Sequence, residues 1–248
     1  MSDTKRFPRT LRIGILVFDG FEPLDVWGFV EAFSISRFIG TNYASPPPYP
    51  FEVVLISNQC RPDGAGKKAA PASVKSANGP RVAPDYFRDE ALEKKIDVLM
   101  IPGGIGTRIL LSDKHPKERK ALVDWVRAMD QRVELMASVC TGAAILAFTG
   151  LLDGLPAATN HAAFAWVTSQ GPRVLWDNVS RWVDAGHYVT SAGVSAGTDM
   201  AFYLVKRLAG RAVAEVATAG AEYDWHRDPE EPIFYPQQAA VPGTTTSK

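Results

Sequence analysis

At 248 residues, with 46% hydrophobic and 22% charged side chains, the chain is long enough to bury a full core without disulfide or metal support. Its 27 Lys plus Arg balance 27 Asp plus Glu, which excludes a strong net field for nucleic acid or an acidic membrane surface. The two cysteines, Cys60 and Cys140, form no C-x-x-C pair, so neither a disulfide framework nor a structural zinc site is expected.

Residues 1–10 are polar and basic and read as a flexible N-terminus without the apolar centre of a signal peptide. No apolar run approaches the ~18–20 residues that span a bilayer, so a soluble, cytoplasmic protein is expected. Residues 11–18 form a hydrophobic run of strand length, of the kind buried on both faces of a sheet. Asp19-Gly20 breaks it, and a short loop leads into a helix over residues 26–37. Asp25 falls at the natural N-cap of that helix, where its carboxylate would accept free N–H groups.

A proline-rich stretch, 43–50, ends the helix, and residues 51–56 give a second strand. Residues 57–85 are rich in Gly, Pro, Ser, Lys and Ala and read as a long surface excursion, with a turn at Asn78-Gly79-Pro80. Cys60, at its start, reads as an incidental thiol. A third strand, 96–101, ends in Pro102-Gly103-Gly104-Ile105-Gly106. Glycines there let backbone N–H groups approach a ligand. The pattern is not G-x-G-x-x-G and no helix is expected directly after it, which argues against a dinucleotide site. Residues 118–130 form an amphipathic helix.

The next strand, from Val133, ends at Cys140 and is followed by small residues and a helix closing at Gly150. Ser138 and Gly142 flank Cys140 as the glycines flank the serine of a G-x-S-x-G nucleophile elbow. A helix N-terminus just beyond the sulfur would favour a thiolate. The alternative is a small buried cysteine packing a strand end. Beyond a turn at residues 151–154 come a short helix (162–169), short strands at 174–176, 180–184 and 187–191, and helices at 198–208 and 211–223. The last two strands form a hairpin through Ala185-Gly186. Asp199 is read as capping or packing the helix it begins, and His115, His187 and His226 as surface residues. Residues 224–248 are a polar extension whose end is expected to be disordered.

Strands alternating with helices predict an open, mostly parallel sheet covered on both faces, with every carboxyl end on one edge. Asp25, the Gly103-Gly104 turn, Cys140 and the turn at 191–197 all follow strands and can converge there.

These segments together resemble the DJ/ThiJ/PfpI superfamily, which is related to class I glutamine amidotransferases. The matching residues are Pro23-Leu24-Asp25, Ile101-Pro102-Gly103-Gly104, Ser138-Val139-Cys140-Thr141-Gly142, Thr149-Gly150-Leu151-Leu152, Ala158-Thr159-Asn160-His161, the run 191–199 and Glu222-Tyr223. Within the superfamily they are most similar to the isonitrile (isocyanide) hydratase branch. The resemblance covers residues 11–223 and implies one α/β domain: a flavodoxin-like three-layer sandwich with a mostly parallel central sheet and a nucleophile elbow. It implies that Cys140 is the nucleophile and that Asp25 lies beside its sulfur. It also implies a homodimer acting on a small molecule without metal or organic cofactor. Cys140 is followed by Thr141, where peptidase-like members carry a Cys-His pair, and this counts against peptidase activity. Trp27-Gly28 stands where the branch often has Gly-Pro, and Asn160 where Thr is usual.

On this reading Cys140 attacks the terminal carbon of an isocyanide, giving a thioimidate that water hydrolyses to an N-substituted formamide. Asp25 shuttles the proton, and the N–H groups of Gly104 and Thr141 polarise the intermediate. A carboxyl against a thiolate is expected to hold one shared proton near neutral pH. His161 is either a participant near the pocket or a supporting or dimer-facing residue, while Gly103 and Trp27 are candidates for the pocket or its support. Trp166 also stands as a possible pocket residue, although large aromatics near a sheet edge are more often core. The alternatives are a glyoxalase or deglycase acting on methylglyoxal-like carbonyls, which Asp at position 25 disfavours, and a redox or stress sensor in which Cys140 is oxidised. A transcription regulator would append a helix-turn-helix module, for which the tail after Tyr223 is short and polar.

Overall fold

The computed structural model describes residues 9–42, 44–64, 66, 69–231 and 233. The apolar runs form β1 (Leu11–Val17), β2 (Phe51–Ser57), β5 (Val98–Ile101) and β6 (Leu135–Ser138). Every residue of β5 and β6 is buried, as expected of strands covered on both faces. Between β2 and β5 lie the small hairpin β3 (Val74–Lys75) and β4 (Arg81–Val82), then α2 (Arg88–Glu93). The helices that follow strands are α1 (Pro23–Ile35), α3 (Gly106–Leu110), α4 (Pro116–Asp130) and α5 (Gly142–Thr149). The second half contributes β7 (Pro156–Ala158), α6 (Phe164–Gln170), β8 (Leu175–Asp177), β9 (Trp182–Ala185), β10 (Tyr188–Ser191), α7 (Ser195–Ala209) and α8 (Arg211–Gly220).

The main sheet has the order β2-β1-β5-β6-β10-β9. All its pairs are parallel except the β9–β10 hairpin, which turns through Gly186 and His187. Counting only the parallel strands, this is the 2-1-3-4-5 order of doubly wound flavodoxin-like sheets. The predicted strand near residue 175 does not join it: β8 pairs in parallel with β7, which sequence patterning did not reveal, in a separate two-stranded sheet. Helices α1, α7 and α8 pack on one another, and α2 on α4, α4 on α5 and α5 on α6, giving a helical layer on each side of the sheet. Phe21, Phe29 and Phe33 are fully buried between β1, β2 and α1, and Phe33 meets Phe51 edge-on at 4.8 Å. Each such ring contributes about 1.5–3 kcal/mol by leaving water.

The expected excursion after β2 is partly ordered against the first loop. Gly20 N–H donates to Lys75 O (2.7 Å), Lys75 N–H to Asp19 Oδ1 (2.6 Å) and Ala77 N–H to Phe21 O (2.8 Å). Packing also continues past the expected domain end at Tyr223. Trp225 is buried against Phe202 and its indole N–H donates to Asp199 O (3.0 Å), and Arg181 N–H donates to Pro229 O (2.7 Å). At the other end Arg9 pairs with Asp97 (2.8 Å), and the Thr10 hydroxyl donates to Tyr49 O (2.7 Å). Residues 1–8 of the expected flexible N-terminus and 234–248 of the extension lie outside the described residues. Among the described residues no helix is long and apolar enough to cross a membrane.

Asp199 does not cap a helix. It lies within α7, fully buried, with its carboxylate held by Arg181 (2.5 Å), the Tyr223 hydroxyl (3.0 Å) and His226 N–H (3.1 Å). His187, read as a surface residue, is half-buried and lies 3.0 Å from Asp130.

Candidate active site

The carboxyl ends of β1, β5 and β6 sit side by side, at the point where the strand order reverses between β1 and β5. In open α/β sheets the two sides of that point leave a crevice for ligands. Cys140 occupies the corner between β6 and α5 with φ +56°, the left-handed region that a non-glycine residue enters at a cost of about 1–3 kcal/mol. Three neighbouring segments hold it there. Cys140 N–H donates to Ala192 O (3.2 Å), the Thr159 hydroxyl donates to Cys140 O (2.9 Å), and Val139 N–H donates to Ile101 O (3.1 Å). Gly142 is required for this closeness, because a Cβ there would lie 2.1 Å from Ile101 O. The corner therefore has the form of a nucleophile elbow.

Asp25 is the third residue of α1, not its N-cap, and its side chain is 1% exposed. Pro23 begins the helix and leaves Glu22 at the cap, so the Asp25 carboxyl turns inward instead of toward its own helix end. Its Oδ2 accepts Gly103 N–H (2.7 Å), whereas the buried Oδ1 has no hydrogen-bond partner among the described residues. Burial pushes the Asp25 carboxyl up to about 8, opposed by the Gly103 N–H and reinforced by the charge of Glu22. Burial also pushes the Cys140 thiol well above its ordinary range. The charge of Asp25 adds to this and the Thr141 N–H opposes it.

The balance differs from the sequence expectation. A helix N-terminus and a shared proton predicted a thiolate next to a carboxyl; in the folded site desolvation outweighs the few N–H groups and pushes both groups toward their protonated forms. The Asp25 contribution to the thiol acts only while that carboxyl is ionised, so below about pH 8 the thiol is freed of that part of its shift.

The glycine turn dovetails with the β1 loop. Glu22 N–H donates to Gly103 O (2.8 Å) and Gly106 N–H to Gly20 O (3.0 Å). Gly104 has φ +113°, and a Cβ there would fall 2.3 Å from Gly20 O, so only glycine fits. Contrary to expectation, the short helix α3 begins directly after the turn. Its first N–H groups are used internally, Gly106 on Gly20 and Thr107 on Gly104 O (3.1 Å), so the turn offers no cradle of free donors for a dinucleotide phosphate.

Thr141 is nearly buried, and its hydroxyl accepts Gly104 N–H (3.0 Å). Gly104 N–H is thus engaged, and its expected role toward a substrate requires that the Thr141 hydroxyl turn away. The hydroxyl of Thr107, fully buried, lies 3.1 Å from Thr141 Oγ1 and 2.7 Å from Gly104 O.

The structure thus brings together Asp25, Gly103, Gly104, Cys140 and Thr141. His161 lines a groove with Asn160, Gly193 and Val194, and none of those five residues belongs to its lining. Burial lowers its imidazole from the ordinary range, partly offset by the charge of Asp177. Trp27 is on a different face of α1 from Asp25 and is 39% exposed. The Trp166 ring lies under the Arg108 guanidinium at 4.2 Å. Two residues were not singled out from the sequence. Glu22 acts on both Asp25 and Cys140, and its own carboxyl is raised by burial; its spacing three residues before Asp25 was the available signal. Thr107 carried no signal, because its contact with Thr141 depends on α3.

A model of the DJ-1/PfpI family matches residues 11–207. Among curated proteins, the isonitrile hydratase of Pseudomonas putida is 26% identical over 213 residues, 86% of this chain and 78% of that one. The HTH-type transcriptional regulator GbdR of Pseudomonas aeruginosa is 26% identical over 158 residues, 64% of this chain and 40% of the regulator. Among solved structures, a ThiJ/PfpI family protein from Pseudomonas syringae superposes with a TM-score of 0.68 at 22% identity, covering 90% of this chain and 81% of that one.

Proposed function

The chain belongs to the DJ-1/PfpI family, and we propose that it is an enzyme that hydrates an isocyanide to an N-substituted formamide, with Cys140 as nucleophile and Asp25 as proton carrier. The observation that carries this reading is the pairing of a thiol held at a left-handed elbow with a buried carboxyl that desolvation pushes toward its protonated form. One oxygen of that carboxyl is left without a partner. A neutral acid suits the reaction, because an isocyanide carbon accepts a nucleophile only if the charge developing on it is protonated.

In the first step the Cys140 sulfur bonds to the terminal carbon, Asp25 gives its proton to that carbon, and the thiol proton restores Asp25. The product is a thioimidate, R–N=CH–S–Cys140. Water then adds across the C=N bond, its oxygen to carbon and its proton to nitrogen. The C–S bond breaks, the hydroxyl proton passes to sulfur through Asp25, and the formamide R–NH–CHO leaves with the thiol regenerated. The Thr141 N–H, which already acts on the Cys140 sulfur, is the donor placed to stabilise negative charge there.

The test is direct. Purified protein with cyclohexyl isocyanide should release the corresponding formamide, and Cys140→Ala and Asp25→Ala should each abolish it. Absence of formamide together with lactate from methylglyoxal would replace the proposal with a glyoxalase.

A further inference from the structure

The Thr141 hydroxyl has more neighbours than one hydroxyl can serve, and the count of donors and acceptors around it decides where its hydrogen points. Its oxygen accepts Gly104 N–H (3.0 Å). Its single hydrogen has a choice of Gly104 O (3.3 Å), the Thr107 hydroxyl oxygen (3.1 Å) and the Cys140 sulfur, whose anion is favoured by both the N–H and the hydroxyl of Thr141. Gly103 shows how closely the two side chains converge. A Cβ there would lie 2.7 Å from Thr141 Oγ1 and 2.8 Å from Cys140 Cβ.

Gly104 O is already filled. A carbonyl oxygen has two lone pairs, and this one receives the Thr107 N–H (3.1 Å) and the Thr107 hydroxyl (2.7 Å). The Thr141 hydroxyl is a third donor to the same oxygen, at the longest of the three distances. Thr107 is fully buried in α3, so its hydroxyl is shielded from solvent and keeps this partner.

We infer that Thr107 is a positioning residue: by filling the Gly104 carbonyl it leaves the Thr141 hydrogen to turn toward the Cys140 sulfur whenever that sulfur carries negative charge. The remaining competitor is Thr107 Oγ1, a neutral hydroxyl, which a charged sulfur outcompetes because hydrogen bonds to ions are roughly twice as strong. Removing the Thr107 hydroxyl exchanges this weak competitor for a strong one, since Gly104 O then has an empty lone pair within reach of Thr141. This role rests on the proposed reading in taking Cys140 as the nucleophile, with charge on sulfur as the C–S bond forms and as it breaks.

Iodoacetamide modification of Cys140 at pH 10, read on its peptide by mass spectrometry, tests the role without any isocyanide. The thiolate is the reacting form. Thr107→Val should slow the reaction about threefold: loss of one charge-assisted hydrogen bond lowers the thiolate fraction about tenfold, and the greater nucleophilicity of the more basic thiolate recovers about half of that on a logarithmic scale. Thr107→Ala, which removes the hydroxyl without adding a methyl group, should do the same, and Thr107→Ser should restore the wild-type rate. In a Thr141→Val background, Thr107→Val should change nothing further, because the hydroxyl through which Thr107 acts is gone. An unchanged or faster rate in both Thr107→Val and Thr107→Ala would overturn the assignment. So would a rate that Thr107→Ser leaves slow, or an equal slowing in the Thr141→Val background, since either marks a purely structural role. Should the rates follow expectation while cyclohexyl isocyanide yields no formamide, Thr107 keeps its role and the hydratase reading falls.

Discussion

Asp25 in α1 and Asp199 in α7 are buried to the same degree, 1% and 0% exposed, on two helices that pack against each other. Asp199 is surrounded by a guanidinium, a phenol and a backbone N–H. Asp25 receives one N–H and keeps an oxygen with no partner among the described residues. A buried carboxylate with a full set of partners is a fastening, and here it ties α7 to Arg181, just before β9, and to the segment from Tyr223 to His226. A buried carboxyl with too few partners stays protonated, and its proton is available for transfer. The same residue type serves as structure in one place and chemistry in the other because of what surrounds it.

The largest expected effect breaks the first of these environments. Arg181→Ala leaves Asp199 buried without its counter-charge and should cost about 3–5 kcal/mol of stability, measured by urea denaturation. Asp25→Asn should behave in the opposite sense. The folded-state pKa of Asp25 is raised, so its contribution to stability is fully present below about pH 4 and is lost as pH rises through about 8. The stability of the wild type relative to Asp25→Asn should therefore fall by about 2–4 kcal/mol between pH 5 and pH 9. A difference that stays flat over that interval would mean that Asp25 is ionised in the fold.

Glu22→Gln sharpens the comparison at the thiol. Removing a charge that raises Cys140 should speed iodoacetamide modification of Cys140 about threefold at pH 10, where Asp25 is ionised with or without Glu22; slower modification at that pH would contradict the electrostatics. The smallest effect belongs to Trp27→Ala, on the outer face of α1. It should leave that rate unchanged and shift stability by less than about 1 kcal/mol.

Much of the fold was legible because continuous apolar runs announce strands buried on both faces, and glycine or small-residue corners mark their ends. The convergence of Asp25, Gly103-Gly104 and Cys140 followed from that topology. What escaped depended on distance relations that periodicity does not carry. Asp25 looked like a helix cap until Pro23 was seen to begin the helix one turn earlier. Cys140 looked like a thiolate because a helix dipole is visible in a pattern while the degree of burial is not. Arg181 could not be matched to Asp199 across a hairpin, and β7 is too short to show a period. The polar composition after Tyr223 concealed Trp225, which packs there as core.

The left-handed corner at Cys140 has a consequence for endurance. Its conformation is maintained by Ala192, Thr159 and Ile101, which belong to three separate segments, and none of them alone enforces it. Once one of these segments opens, the backbone relaxes locally while the sheet beneath remains paired. On heating, thiol modification should therefore rise beyond its ordinary temperature dependence before the far-ultraviolet circular dichroism changes, because opening relieves the burial that holds the thiol protonated, and a brief return to low temperature should reverse it. The corner loosens sooner than the scaffold that carries it, and resets with it.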